Sequence, residues 1–384
     1  MTSPPSATLV LLLACFVPLG ACGADAADPE ALFEPGPHVV GFRQATLTYA
    51  RGGSGEPREL ALHAWYPAAS GSTEPPASYV TGGVIRIRSQ SALSEPAVAS
   101  GGPFPLVVYS HGGGGEAQHA YPYGELLASH GFVVVSVTHA GTATLDSAPT
   151  RLERWALDRP SDIAAALDWL EAPTDEWFEG LVTTDRVMLV GYSLGAYTVF
   201  AASGAQVDLD QIRAQCSTEC ELLVDGEALA EGYGALMPDE RVVALVAQAP
   251  GASDLFVAGS LGGFDIPVML QSGLLDISTP HATSAVPLWE SRDRVGDVWV
   301  DMPTGAHMSF IPSCRDVPVA LLALVRPTAI EDGCAERFIS VDDSLPGLAA
   351  YVLGFARIHL LGDMRWREVL SGPPLRPGFT ITAR

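Results

Sequence analysis

The sequence predicts an α/β fold, a mainly parallel sheet with helices on both faces. Three observations carry it: short apolar runs that are continuous rather than alternating, helical patterns between those runs, and a glycine-flanked turn where one run passes into a helix. A strand covered on both faces has no solvent side to alternate with, so it reads as one apolar block. With 384 residues, 48% hydrophobic and 17% charged, the chain can fill one large core or two modest ones and is far from a disordered composition.

The expected strands are Leu106–Tyr109, Phe132–Val137, Val187–Val190, Val242–Val246, Val268–Leu270 and Val298–Val300. Between them, Arg159–Glu171 reads as a helix with Pro160 in its first turn and Ile163, Leu167 and Leu170 spaced at i, i+4 and i+7. Gly124–His130 and Ala196–Ser203 read similarly. Such alternation implies right-handed crossovers and a parallel sheet. Upstream, strand-like stretches near Ala45–Tyr49 and Leu60–Tyr66 flank a hairpin-type loop at Arg51–Gly55, and Gly-, Ser- and Pro-rich sequence fills 67–103. No internal repeat is present. Residues 38–384 form one domain in this reading, with insertions at 204–240 and 314–346 that exceed an ordinary connection.

All 21 basic residues are arginine, against 44 acidic ones, for a net charge of −23. The absence of lysine excludes a P-loop lysine, a Schiff-base lysine and a lysine-rich nucleic-acid face. The negative field disfavours polyanionic partners, so no nucleic acid is expected; most of the acid excess serves to solvate the surface.

Residues 1–22 carry no charge, and Leu9–Val17 is an apolar run of nine, too short for a bilayer of ~30 Å. This fits a signal peptide followed by a tether over 23–37. Leu19-Gly20-Ala21-Cys22 resembles the lipobox of bacterial lipoproteins, which implies lipidation of Cys22 and a membrane contact made only through that anchor. The missing Arg or Lys before Leu9 departs from the usual pattern, and plain secretion is the alternative. Either way the chain is expected to be exported, to the cell envelope or beyond. With Cys15 and Cys22 in that segment, the remaining four of the six cysteines read as two disulfides, with Cys216–Cys220 and Cys314–Cys334 the preferred pairing. Zinc is disfavoured, because no second cysteine pair or histidine stands at a ligand spacing, and no metal is expected.

The sharpest motif is Gly191-Tyr192-Ser193-Leu194-Gly195, set between an apolar run and a helix-compatible segment. A nucleophile elbow has this context: the serine sits on a tight strand-to-helix turn, with free helix N–H groups beside its oxygen. A serine hydroxyl needs a base, and the base an orienting acid, in the chain order Ser, acid, His. Of the downstream histidines His281, His307 and His359, the candidate is His307, in the Gly-containing loop after Val298–Val300. For the acid, Asp276 after Val268–Leu270 is favoured over Asp254, while Asp265 and Asp301 stand at less suitable positions. Ser110-His111-Gly112-Gly113-Gly114-Gly115 supplies loop amides for an oxyanion, with the Leu194 N–H as the second donor. A phosphate cradle is the weaker reading of that loop, since no G-K-[ST] follows.

From about 103 to 361 the chain resembles the α/β-hydrolase superfamily, and within it the dienelactone-hydrolase-like and platelet-activating-factor-acetylhydrolase-like serine esterases. The stretches that carry this are Phe104–Gly114, Leu127–Val135, Arg159-Pro-Ser-Asp-Ile163, Asp185–Gly195 and Gly305–Phe310. The resemblance implies a triad of Ser193, Asp276 and His307, with the Gly113 and Leu194 amides as the oxyanion hole and no cofactor. Three departures bear on it. Dienelactone hydrolases proper use cysteine where this chain has Ser193. The mammalian acetylhydrolases take their acid after the earlier strand, which keeps Asp254 a candidate. Bacterial cutinases, also similar, clamp polyesters with aromatics where this chain has Gly113 and Gly251. The expected function is a serine carboxylic-ester hydrolase acting on a small or lipid-like ester through an acyl-enzyme. Amide hydrolysis, acyl transfer or a non-catalytic envelope lipoprotein are the alternatives.

Overall fold

Strands β5 (Phe104–Ser110), β6 (Val133–Thr138), β7 (Val182–Tyr192), β8 (Val242–Gln248), β9 (Val268–Gly273) and β10 (Val298–Met302) run parallel in the order β10-β9-β8-β7-β5-β6. Each matches one of the expected apolar runs, with Phe132 alone falling just outside β6. The computed structural model describes residues 27–384 except 53, 145, 147–150, 217–225 and 264. The sheet continues antiparallel from β6 into β2 (Pro57–Ala68) and β1 (Val39–Ala50); β4 (Ile85–Ser94) then pairs with β1 in parallel and β3 (Pro76–Thr81) with β4 antiparallel, while β11 (Thr380–Ala383) closes the other edge antiparallel to β10.

Neighbouring residues of one strand serve opposite cores, which is why the runs are unbroken. Leu106, Val108 and Leu189 pack with Ile163 and Leu167 of α2 (Leu152–Glu171) and with Val199 and Phe200 of α3 (Leu194–Ala202). Val107, Tyr109 and Val190 pack on the other face with Leu127 of α1 (Tyr121–Ser129) and with Leu348, Val352 and Phe355 of the helix Val341–Leu361. Each such side chain removed from water stabilises the fold by about 1.5–3 kcal/mol. The helix Val341–Leu361 is long and apolar enough to cross a membrane, but 67% of its most apolar window is buried inside this core.

The chain leaves β5 toward β6 on one side and returns to β7 on the other. Connections diverge at such a point, leaving a crevice at the strands' C-terminal ends where sites assemble.

Several expectations are corrected. Helix α2 begins at Leu152, so Pro160 lies in mid-helix rather than in a first turn. Proline donates no hydrogen bond to the carbonyl four residues back; here that Ala156 carbonyl accepts instead from the Tyr197 hydroxyl at 2.9 Å. The stretch 67–103 holds β3 and β4, and β11 was not foreseen. In β4 the isoleucines at 85 and 87 alternate with Arg86 and Arg88, a period-2 signal masked by the surrounding Gly, Ser and Pro. The tether does not reach residue 37: Pro29–Leu32 forms a 3-10 turn with Leu32 fully buried, Glu30 pairs with Arg376 at 2.6 Å, and the Gly36 N–H donates to Ser129 Oγ at 2.9 Å. Residues 341–346, expected within the second insertion, already belong to the helix Val341–Leu361, capped by Ser340, whose hydroxyl accepts from the Asp343 N–H at 3.2 Å. The rest of that insertion holds a helical turn at Ser313–Asp316 and the helix Val319–Val325; the first contains helices at Leu209–Gln215 and Gly226–Gly234. Cys314 and Cys334 form a disulfide. The signal-like segment, Cys22 and Cys220 lie outside the described residues.

Burial sets the protonation of several histidines. It pushes His63 and His119 down to about 4, and draws His111 and His139 well below the usual value. Below the ordinary imidazole value of about 6.5 the unfolded chain therefore binds more protons than the folded one, and stability is lost as pH falls. His63 and His119, each 8% exposed, should each cost about 2 kcal/mol by pH 5. The denaturant midpoint should fall measurably between pH 7 and pH 5. A flat profile over that interval would contradict neutral burial.

Candidate active site

Ser193 joins β7 to α3 with φ 55° and ψ −116°. A non-glycine residue held there costs of order 1–3 kcal/mol and persists only where its surroundings over-determine it. They do so here: the Ser193 N–H donates to the Gln248 carbonyl at 2.8 Å, and its own carbonyl accepts from Ala196 at 2.9 Å and Gly251 at 3.1 Å. The flanking glycines permit the close approach. A Cβ at Gly191 would lie 2.1 Å from the Gly195 carbonyl oxygen, and one at Gly195 only 2.0 Å from that of Ser110.

The parallel neighbours β9 and β10 end in loops that carry the other two groups. His307 Nε2 lies 2.9 Å from Ser193 Oγ, and His307 Nδ1 lies 2.8 Å from Asp276 Oδ2. A buried carboxylate against Nδ1 fixes the proton there and leaves Nε2 free to accept from the serine hydroxyl. Asp276 is 5% exposed, and its oxygens also accept from the Thr279 N–H at 2.6 Å and hydroxyl at 2.7 Å.

The competing residues stand elsewhere. Asp254 is exposed and accepts from Gln215 at 2.9 Å; Asp265 pairs with Arg294 at 3.0 Å. His281 stacks on Trp299 with ring centres 5.2 Å apart and lies 3.5 Å from Asp301. His359 packs edge-on against Phe355.

Two residues that the sequence did not single out hold the histidine in place. Asp332, 2% exposed, accepts through Oδ1 from the N–H groups of Ile277 (3.0 Å) and His307 (3.2 Å), and through Oδ2 from the Ser278 N–H (3.0 Å) and hydroxyl (2.5 Å). One carboxylate thus ties the acid loop to the histidine loop, two residues from the disulfide cysteine at 334. Tyr192 donates its hydroxyl to the His307 carbonyl at 2.9 Å. Nothing in the local pattern around Asp332 marks it, since its partners lie 25 to 55 residues away in sequence.

The loop after β5 rests on a buried polar network. Arg58 clamps Asp162 with two bonds of 2.6 and 2.8 Å, and Tyr49 adds a third at 2.7 Å. Asp162 lies 2.8 Å from His139 Nδ1, and His139 Nε2 lies 2.9 Å from Ser110 Oγ. The His139 N–H donates to His111 Nε2 at 3.0 Å, so His111 Nδ1 carries the proton and donates to the Gly112 carbonyl at 2.7 Å. Arg159, pulled down to about 9 by burial, donates to the His111 carbonyl, to Thr142 Oγ1 at 2.8 Å and to Thr198 Oγ1 at 2.8 Å. The Gly114 N–H donates to the Thr142 carbonyl at 2.8 Å. With its neighbours so engaged, Gly113 sits against Leu194, and among the described residues the N–H groups of Gly113 and Leu194 meet no acceptor.

Ser193, His307, Gly113 and Leu194 line a cavity of about 300 Å³ together with Met308 and Arg326. A second cavity, about 450 Å³, adjoins it at Met308 and Arg326 and is walled mainly by Ile85, Val317, Leu321, Leu322 and Val325. A larger one of about 770 Å³ lies against α2 and touches none of these groups. Among the described residues no three His, Cys, Asp or Glu side chains converge to hold a metal ion.

The network predicts a stability effect. Asp162→Asn should leave the buried Arg58 with Asp158, 3.6 Å away, as its remaining carboxylate among the described residues, and lower the unfolding free energy by about 3 kcal/mol, read from denaturant melts. A loss below about 1 kcal/mol would show that the network is dispensable.

The comparisons with known proteins bear on the fold. The family of platelet-activating factor acetylhydrolase, isoform II, matches residues 81–151, a stretch that includes the loop at 110–115 but none of Ser193, Asp276 and His307. No curated protein matches the chain. A solved structure of a ferulic acid esterase from Streptomyces cinnamoneus superposes with a TM-score of 0.62 at 23% identity, over 89% of this chain and 96% of that one. Sheet order, strand-to-helix turn and superposition agree, and the chain has the fold of the α/β-hydrolases.

Proposed function

We propose that the protein is a serine carboxylic-ester hydrolase that works through an acyl-enzyme. The observation that carries this is the chain of 2.9 and 2.8 Å contacts from Ser193 through His307 to Asp276, opening on a cavity beside two unengaged amides. In the reaction the Ser193 oxygen attacks the ester carbonyl while His307 Nε2 takes its proton. Asp276 holds the imidazole and stabilises the cation that forms. The developing oxyanion is met by the Gly113 and Leu194 N–H groups, each worth roughly 3–4 kcal/mol. His307 then protonates the departing alcohol, and water repeats the sequence on the acyl-enzyme. None of these steps draws on a cofactor or metal.

The adjoining apolar cavity supports a small or lipid-like ester. Glycines at 113 and 251, both near the Ser193 backbone or its neighbour Leu194, leave no aromatic clamp at the positions where cutinase-like enzymes carry one, which argues against aromatic polyesters. The Cys314–Cys334 disulfide favours an oxidising compartment, in keeping with export to the cell envelope. Amide hydrolysis or acyl transfer would use the same groups, and paired esters and anilides of one acyl group separate them.

The protein should hydrolyse short-chain 4-nitrophenyl esters and label with a fluorophosphonate. Ser193→Ala should abolish labelling, and Ser193→Ala or His307→Ala should lower kcat by about 10⁴-fold or more, with Asp276→Asn close behind. Asp254→Asn should stay within about twofold of the wild type. Retention of full activity by Ser193→Ala would end the assignment. Asp332→Asn should reduce kcat about ten- to hundredfold with little change in KM, because it loosens both loops that carry the histidine and its acid. A pure KM effect would place Asp332 in substrate binding instead.

A further inference from the structure

Arg326 stands in the wall between the reaction cavity and its apolar neighbour and lines both. Its Nη2 donates to the Gly113 carbonyl at 2.9 Å. Among the described residues no carboxylate lies in ion-pair range of it, and its Nε and Nη1 meet no acceptor. A guanidinium has five N–H donors in a planar fork, so most of this one is unspent, and the side chain is only partly covered. The acid that lines the same cavity, Asp332, has both oxygens taken by Ile277, His307 and Ser278. In a chain of net charge −23, with 44 acids for 21 arginines, a cation left unpaired beside the nucleophile is a local exception to the surrounding field.

We propose that Arg326 is a specificity residue that binds an anionic group, carboxylate or phosphate, on the ester substrate. This rests on the hydrolase reading above. The fork anchors a planar or tetrahedral oxyanion with charge-assisted bonds. Its Nη2 contact holds it within one residue's reach of the oxyanion amides, so the anion sits close to the scissile carbonyl. The apolar cavity on its other side receives the hydrocarbon part of the same molecule. The surface charge repels such substrates at long range, but at physiological salt that repulsion is screened beyond about 8 Å, whereas the contact at Arg326 is not.

The test compares kcat/KM for neutral and anionic esters of matched size in wild type, Arg326→Lys, Arg326→Gln and Arg326→Glu. The pairs are 4-nitrophenyl butyrate with mono-4-nitrophenyl glutarate, phenyl acetate with 4-acetoxybenzoate, and phenyl acetate with 4-acetoxyphenyl phosphate. They place the charge on the acyl side, on the leaving group as carboxylate, and on the leaving group as phosphate. In at least one pair, the anionic-to-neutral ratio should fall about tenfold or more in Arg326→Gln, fall further in Arg326→Glu, and be partly kept in Arg326→Lys. If the variants lower both members of every pair equally, Arg326 only braces Gly113 and the proposal is overturned while ester hydrolysis stands. If wild type turns over no ester at all, the hydrolase reading falls with it. Thermal melts of the variants confirm that each is folded.

Discussion

The site depends on a contact between backbones. At Gly195 the first turn of α3 presses on the end of β5 so closely that a side-chain carbon would sit 2.0 Å from the Ser110 carbonyl oxygen. That approach joins the Ser193 turn to the loop that follows β5, at the place where the sheet order reverses between β6 and β7. The strained dihedrals of Ser193 follow from it. With the strand ending at Tyr192 and the helix starting at Leu194, one residue must make the whole change of direction. Three backbone hydrogen bonds hold it there, so the cost of the conformation is met by the sheet rather than by the serine.

The other half of the site has a different kind of support. Asp276 and His307 are carried on loops after adjacent parallel strands, and parallel order alone brings those loops side by side. Their fine alignment comes from outside the sheet. Asp332 reaches in from the 314–346 segment, satisfies two N–H groups of the acid loop and one of the histidine loop, and stands next to a disulfide that closes the segment on itself. A carboxylate buried this deeply is tolerable because four donors meet it. The site is thus supported from two directions, by the buried network under the β5 loop and by the inserted segment.

How much of this was legible in the sequence follows from the range of the interactions. The parallel strands could be read because burial on both faces leaves an apolar block with no competing period. Ser193, His307 and Asp276 could be read because the elbow has a local signature and the order along the chain limits the partners. The strand β4 was hidden by its turn-forming neighbours. Pro160 misplaced the start of α2, because the tyrosine hydroxyl that compensates its missing donor comes from another helix. Asp332 and Arg326 were invisible, because each meets its partners through residues brought close only by the fold. The burial of Leu32 likewise depends on a helix some three hundred residues onward, so the segment around it looked like linker.

The support beneath the β5 loop carries a further lesson. Ser110, His139 and Asp162 reproduce the constellation of Ser193, His307 and Asp276 down to the separations, 2.9 Å from serine oxygen to Nε2 and 2.8 Å from Nδ1 to carboxylate. Yet all three are sealed from solvent, and the Ser110 oxygen also accepts from Arg159 at 3.2 Å. The same arrangement of atoms therefore occurs twice in one molecule, once beside an open cavity and once sealed in the interior. What separates them is access, so the empty space in front of a hydroxyl tells the two apart where the partners behind it do not.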